Sequence, residues 1–338
     1  MTVDDRLRAL RTPVALYFPG LALCVTIAAA ASFLSEHYGG PAMLFALLIG
    51  MAFNFLMEEG KAKPGIELAS KFVLRLGVGL LGIRITMQEI AAFGWKTPLV
   101  VAALIALTIG TGFVAVRLFN RRWRFALLTG GAVAICGASA TLAIAAVIPH
   151  NDKTERNTLF TVVAVTAMST IAMVIYPILF GALGLSDREM GFLIGATIHD
   201  VAQVVGAGYS VSDAAGDVAT VVKLLRVAFL PVVLIIIVLA LRGRGGTGAK
   251  VPLLPWFMVL FIVLSILSTV VSIPKPISGT IETASRIMLV TAIAALGVKT
   301  SLKKMLEVGG GHIWVVVIET LVLLVAAIAA FHLVRPIG

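Results

Sequence analysis

Eleven apolar runs of about twenty residues, parted by short stretches rich in charge, glycine or proline, leave this chain few ways to fold. They lie at about 14–34, 41–57, 68–86, 97–117, 126–149, 157–181, 190–210, 217–241, 253–272, 283–302 and 312–334. A helix rising 1.5 Å per residue crosses the ~30 Å hydrocarbon core of a bilayer in about 20 residues. The pattern therefore predicts an all-α, polytopic membrane protein of about eleven transmembrane helices, a single domain over 1–338. Composition agrees, with 59% hydrophobic and only 13% charged residues, against about 25% charged in a soluble domain. Too little chain lies outside the runs for a soluble catalytic or nucleic-acid-binding domain. The first run follows Asp4, Arg6, Arg8 and Arg11 without a small-residue cleavage site, so we read it as a retained span, not a removed signal. Cys24 and Cys136 both sit in apolar runs, which points to neither a disulfide framework nor a metal site.

The formal charge of +10, from 27 Lys and Arg against 17 Asp and Glu, has an explanation in topology. On alternating sides, sixteen basic residues share the side of the N-terminus, six take the other (Lys96, Lys153, Arg156, Lys275, Arg286 and Arg335), and five lie within or at the edge of spans. This asymmetry predicts a cytoplasmic N-terminus in the inner membrane and, with an odd span count, an external C-terminus. The basic, glycine-rich loop after span eight, residues 242–251, reads as a topology signal and hinge. It lacks the P-loop spacing.

Shifted by 215 positions, Ser70-Lys71 falls on Ser285-Arg286, Leu74 on Leu289, Leu81-Gly82-Ile83-Arg84 on Leu296-Gly297-Val298-Lys299, Thr86 on Ser301 and Gly94 on Gly309. The offset relates span three to span ten, and an odd number of spans inverts direction. An inverted-topology repeat, common in secondary transporters, is thus expected, with an extra span at 1–40 and copies at 41–181 and 190–338. A second register, pairing the Cys136-Gly137 region with Leu296-Gly297, also inverts.

Two runs carry small and polar residues in mid-span. The fifth reads Gly130-Gly131 through Cys136-Gly137-Ala138-Ser139-Ala140-Thr141, the seventh Gly195-Ala196-Thr197-Ile198-His199-Asp200-Val201-Ala202-Gln203 through Gly208. Such clusters interrupt a helix, and Ser139 or Thr141 is expected to cap the second half, whose N–H groups then offer an anion a positive dipole end. Close packing through small residues is the plainer alternative.

Intramembrane charge costs about 2.5–3.5 kcal/mol per residue on insertion scales and so marks protein-facing or water-facing positions. Arg75 shares a face with Gly79 and Gly82, and Lys223 and Arg226 share a face of the eighth run. Arg84 and Lys299 lie near span ends and read better as snorkelling. Asp200 and Glu319 are the acids within runs. Asp200 fits either proton coupling or an ion pair with Arg75 or Arg226. Glu319, on the face of His312, fits better an ion pair with a basic residue of a neighbouring span.

The strings Arg75-Leu76-Gly77, Leu81-Gly82-Ile83-Arg84, Cys136-Gly137-Ala138-Ser139-Ala140, Gly195 through Val205 and Val222-Lys223-Leu224-Leu225-Arg226 resemble the YeiH-type family of bacterial membrane proteins, labelled sulfate exporters. The likeness covers nearly the whole chain, and its His-Asp/Glu-Val-Ala-Gln-Val string is specific. Asp200 stands where the family more often has Glu, one methylene longer. The family is similar to cation/proton antiporters and anion transporters, including bile-acid symporter relatives. The resemblance implies inverted repeats, crossed broken helices and anion transport.

The expected function is secondary transport of a small anion, sulfate or a related sulfur oxyanion. Its expected ligands are Gly137, Ser139, Thr141, His199, Gln203, Lys223, Arg226 and Arg75, with Asp200 or His199 carrying a coupling proton. The alternative is a cation/proton antiporter using Asp200. No His-Glu-x-x-His, facing Asp pair or Gly-x-Ser-x-Gly supports an enzyme. The expected partners are the anion and the lipid bilayer, with no cofactor, metal or nucleic acid. Glycine-rich outer faces permit a homodimer.

Overall fold

A computed structural model describes residues 3–38, 40–57, 60–149, 153–241, 255–271, 273–300 and 311–336, with side chains from Ala15 onward in the first helix and from Ile313 onward in the last. The described residues hold no strand. The helices are α1 (Val3–Tyr38), α2 (Ala42–Ala52), α3 (Lys63–Leu68), α4 (Leu74–Leu80), α5 (Met87–Ala91), α6 (Lys96–Leu118), α7 (Trp123–Ala134), α8 (Ala138–Val147), α9 (Thr154–Ala182), α10 (Asp187–Thr197), α11 (Val201–Val211), α12 (Asp213–Ala228), α13 (Leu230–Ala240), α14 (Trp256–Val270), α15 (Lys275–Lys299) and α16 (Gly311–Val334). Among the described residues, six segments are long and apolar enough to cross a membrane: Ala15–Tyr38, Lys96–Leu118, Thr154–Ala182, Asp213–Ala240, Lys275–Lys299 and Ile313–Val334. The 242–251 loop, His312 and the repeat positions Ser301 and Gly309 fall outside the described side chains.

The chain divides into two compact units, Met1–Thr86 with Phe257–Leu302, and Met87–Trp256 with Lys303–Gly338. In the first, apolar helices are brought together by glycine, because lipid offers no hydrophobic drive between helices and close backbone approach supplies the attraction. A Cβ on Gly50 would sit 3.0 Å from Gly297 Cα, and one on Gly65 would meet Gly20 Cα at 2.7 Å. A π turn at Ala69–Val73 joins α3 to α4. Ser285 Oγ donates to Gly77 O (2.7 Å), and Lys299 Nζ donates to Ser70 Oγ (3.2 Å). Residue 70 thus faces 299 and residue 77 faces 285, so the two segments matched by the 215-residue shift run antiparallel within one unit. Lys299 is half-buried and reaches a protein hydroxyl, where the sequence favoured snorkelling.

In the second unit, the fifth and seventh runs are not interrupted spans that continue across but helical hairpins that turn back. This corrects the expected path. At the end of α7, Gly137 takes φ +60°, ψ −122°, a conformation that strains any residue with a Cβ, and its N–H closes on Ala132 O (2.8 Å). The chain reverses there, and Gly131 of α7 comes against the Ile144 side chain of α8.

The second reversal follows from the neighbours of α12. Gly191 and Gly195 of α10 pack on Ala215 and Ala219, so α10 and α12 are parallel. Gly208 packs on Gly216 near the end of α11, while Lys223 Nζ donates to His199 O just before its start, so α11 and α12 are antiparallel. Hence α10 and α11 are opposed, and α12 follows a turn capped by Ser212 Oγ, which accepts from Ala215 N (3.1 Å).

Helix α16 fixes the direction of the hairpins. Phe125 clusters with Val315, and Thr129 bonds Glu319, so α16 runs with α7. Phe192 stacks on Phe331 (centroids 5.8 Å apart), and His199 bonds Thr320, so it runs against α10. Helices α7 and α10, of 12 and 11 residues, therefore enter from opposite ends of this unit and meet C-terminus to C-terminus. At 1.5 Å per residue each reaches ~17 Å, about half a bilayer core.

Candidate functional site

Two facing helix C-termini bring together carbonyl oxygens that have no helical donors, equivalent to about half a negative charge per end. Opposed in an apolar interior, they require donors. Lys223 and Arg226 of α12 supply them. Lys223 Nζ donates to Ile135 O (2.6 Å), Ile198 O (2.9 Å) and His199 O (2.5 Å). Arg226 donates through Nε to Ala134 O (2.9 Å), through Nη1 to Gly195 O (3.2 Å) and Ile198 O (3.0 Å), and through Nη2 to Val133 O and Ala134 O (both 2.7 Å). Three acceptors around one Nζ call for the ammonium form, and Arg226 uses all five of its N–H groups. The two side chains are 0% and 2% exposed. Both cations thus bridge the two hairpin tips, and every N–H of Arg226 is given to a backbone carbonyl.

The same tips begin α8 and α11. The first N–H returned to α8 is that of Thr141, to Gly137 O (3.1 Å), and to α11 that of Val204, to Asp200 O (3.1 Å). Neither start has a side-chain cap from its own N-cap residue. The expected caps are corrected here: Ser139 is exposed, and Thr141 Oγ1 points back to donate to Gly137 O (3.0 Å). Gly137 serves as N-cap because the reversal needs its backbone. A Cβ on Gly137 would lie 3.8 Å from Asp200 Cβ, so the half-buried Asp200 stands where the two amide ends converge.

His199 and Gln203 are fully buried. His199 Nε2 contacts Thr320 Oγ1 (2.9 Å). Gln203 Nε2 donates to Thr170 Oγ1 (3.3 Å), whose own proton goes to Thr166 O (2.9 Å). Ser169 Oγ accepts from Asp200 N (3.0 Å). His199 Nδ1 and Gln203 Oε1 have no hydrogen-bond partner among the described residues. Arg75 is exposed on α4, which belongs to the first unit.

Glu319 departs from its expected ion pair. Its Oε1 accepts from Thr129 Oγ1 (2.8 Å), its Oε2 has no hydrogen-bond partner, and no ion pair to it occurs among the described residues. Thr129, Ser169, Thr170 and Thr320 were not singled out in the sequence. The adjacent pair Ser169-Thr170 in mid-run, and Thr320 beside the one acid of its run, are the signals that could have found them.

Comparison with known proteins gives the family. The family described as Conserved hypothetical protein 698 matches residues 19–316. The UPF0324 membrane protein TauZ of Paracoccus denitrificans is 51% identical over 320 residues, 93% of this chain and 95% of its own length. UPF0324 membrane protein RB0971 of Rhizobium meliloti (strain 1021) is 50% identical over 333 residues, covering 97% and 96%. UPF0324 membrane protein CT0845 of Chlorobaculum tepidum is 50% identical over 318 residues, covering 93% and 89%. No solved structure matches. With matches over nearly its full length, this chain belongs to the UPF0324 membrane protein family, the YeiH-type group that its motifs resemble.

Proposed function

We propose that this protein is a secondary transporter that carries a small anion, sulfate or a related sulfur oxyanion, across the bacterial inner membrane by alternating access. One observation carries the reading: two hairpins from opposite ends meet at their tips, with their carbonyl ends neutralised by Lys223 and Arg226 and their amide ends converging beside Ser139 and Asp200. The two cations give +2, the two carbonyl ends about −1, the two amide ends about +1, and an ionised Asp200 −1. The balance of about +1 suits a monoanion. The cations then act by cancelling the carbonyl ends, and the anion meets the N–H groups of α8 and α11.

The hairpins also revise the membrane path. With both turned back, nine crossings replace eleven; Lys153 and Arg156 join the side of the N-terminus, and Arg188 leaves it. The basic excess on that side rises to seventeen against five, which supports a cytoplasmic N-terminus. The antiparallel segments matched at shift 215, and the opposed hairpins, support an inverted repeat.

The test is flux of radiolabelled sulfate and of monoanionic sulfur oxyanions in proteoliposomes. Ser139→Glu places a carboxylate on the exposed first turn of α8, where the dipole favours it, so the protein should fold while anion flux falls at least ~10-fold; Ser139→Gln should retain flux. If purified, folded protein moves no small anion under any gradient of pH, sodium or voltage, the reading is wrong. The position of Asp200 at the N-cap of α11 favours one other reading, cation/proton exchange, which requires sodium-dependent proton movement lost in Asp200→Asn.

A further inference from the structure

The sequence Asp200-Val201-Ala202-Gln203 offers α11 a capping box, in which the residue three after the N-cap reaches back to the N-cap N–H. The same device is closed on α10, where Glu189 Oε2 accepts from Ser186 N at 2.7 Å. On α11 it is open. Ser169 Oγ has taken the Asp200 N–H (3.0 Å), and Gln203 Oε1 is left without a donor while its side chain is 0% exposed. With the Thr170 hydroxyl donating to Thr166 O, that hydroxyl receives an N–H from Gln203 and leaves Oε1 as the unpaired end of the amide. A buried carbonyl lacking its donor is destabilising, and this one stands in the first turn of a helix whose free backbone groups are N–H donors.

We infer that the anion taken at the tips carries a hydrogen-bond donor of its own, which Gln203 Oε1 receives while the amide ends of α8 and α11 hold the anionic group. The inference rests on the anion-transport reading and narrows its substrate class to hydroxylated or protonated monoanions. A fully deprotonated dianion such as sulfate offers only acceptors, leaves Oε1 unpaired and meets Asp200 as a like charge. A sulfonate with a hydroxyl group satisfies both ends.

The experiment compares 2-hydroxyethanesulfonate, ethanesulfonate and sulfate as ligands of the purified full chain by calorimetry, and as substrates in proteoliposomes. The hydroxylated sulfonate is expected to bind at least ~10-fold more tightly than ethanesulfonate, the ratio that one unpaired buried acceptor produces. Gln203→Met, which removes the acceptor at nearly constant volume, should abolish that ratio with ethanesulfonate affinity unchanged. Thr170→Val, which removes only the Nε2 partner, should keep it. If Gln203→Met does not fold, Gln203→Asn, one methylene shorter, replaces it.

Equal binding of the two sulfonates, sulfate binding as tight as the hydroxylated one, or a ratio that survives in folded Gln203→Met overturns the inference and leaves anion transport standing. A ratio lost when choline replaces sodium assigns Oε1 to a cation and also overturns it. Absence of binding and flux for all three ligands overturns both readings.

Discussion

Replacing Arg226 by methionine tests whether the two hairpin tips are held by side-chain charge. Arg226 donates to Val133, Ala134, Gly195 and Ile198 carbonyls. Ile198 O keeps a donor from Lys223, so three carbonyls lose theirs. At about 1–3 kcal/mol for each buried polar group left unpaired, Arg226→Met should destabilise by ~3–9 kcal/mol, a large share of the ~5–15 kcal/mol available to a native protein. The smallest of these values corresponds to a fall in Tm of about 6 °C at ~2 °C per kcal/mol. Thermal unfolding of purified protein in detergent measures it. Amide exchange should quicken around Ile135–Gly137 and Ile198–Asp200 before it does along α6. Arg226→Lys, with charge but three donors, should fall between parent and Met. A Met variant that melts within about 2 °C of the parent would show that the tips do not depend on this guanidinium.

Two further predictions concern single contacts. Gly112→Ala puts a Cβ 2.5 Å from Glu319 Oε1 and 3.0 Å from Ala126 O, an overpacking worth about 1–3 kcal/mol; Glu319→Ala in the same chain should relieve part of it, and additivity of the two in a double-mutant cycle would exclude the contact as cause. Glu189, before the seventh run and outside the six long spans, is held below the ordinary carboxylate range by the Ser186 backbone N–H, then by the Ser186 hydroxyl. Its stabilisation is therefore present above the unfolded value of about 4.3 and lost as pH falls through the lower folded value. Amide protection at the start of α10, taken relative to the intrinsic exchange rate at each pH, should fall on acidification below about pH 4, and Ser186→Ala should weaken that dependence; an unchanged acid response in the variant would remove the capping box as its source.

The apolar runs alone determined that the chain is helical and suited to a membrane, because their length matches a bilayer and no soluble core uses so little charge. Gly137, His199, Asp200, Gln203, Lys223 and Arg226 were also legible as one polar group, since mid-run polarity is costly unless it faces protein or water. The direction of the chain after Gly137 and after His199 was not legible. A broken helix that continues and one that folds back have the same composition and period, and only the packing of Gly131 on Ile144 and of α10 and α11 on α12 separates them. The roles of Lys223 and Arg226 changed for the same reason: sequence gives a cation and its face, but its counter-charge here is two helix ends more than 60 residues apart in the chain. Backbone carbonyls carry no residue signature, so tertiary structure alone decided what those charges hold.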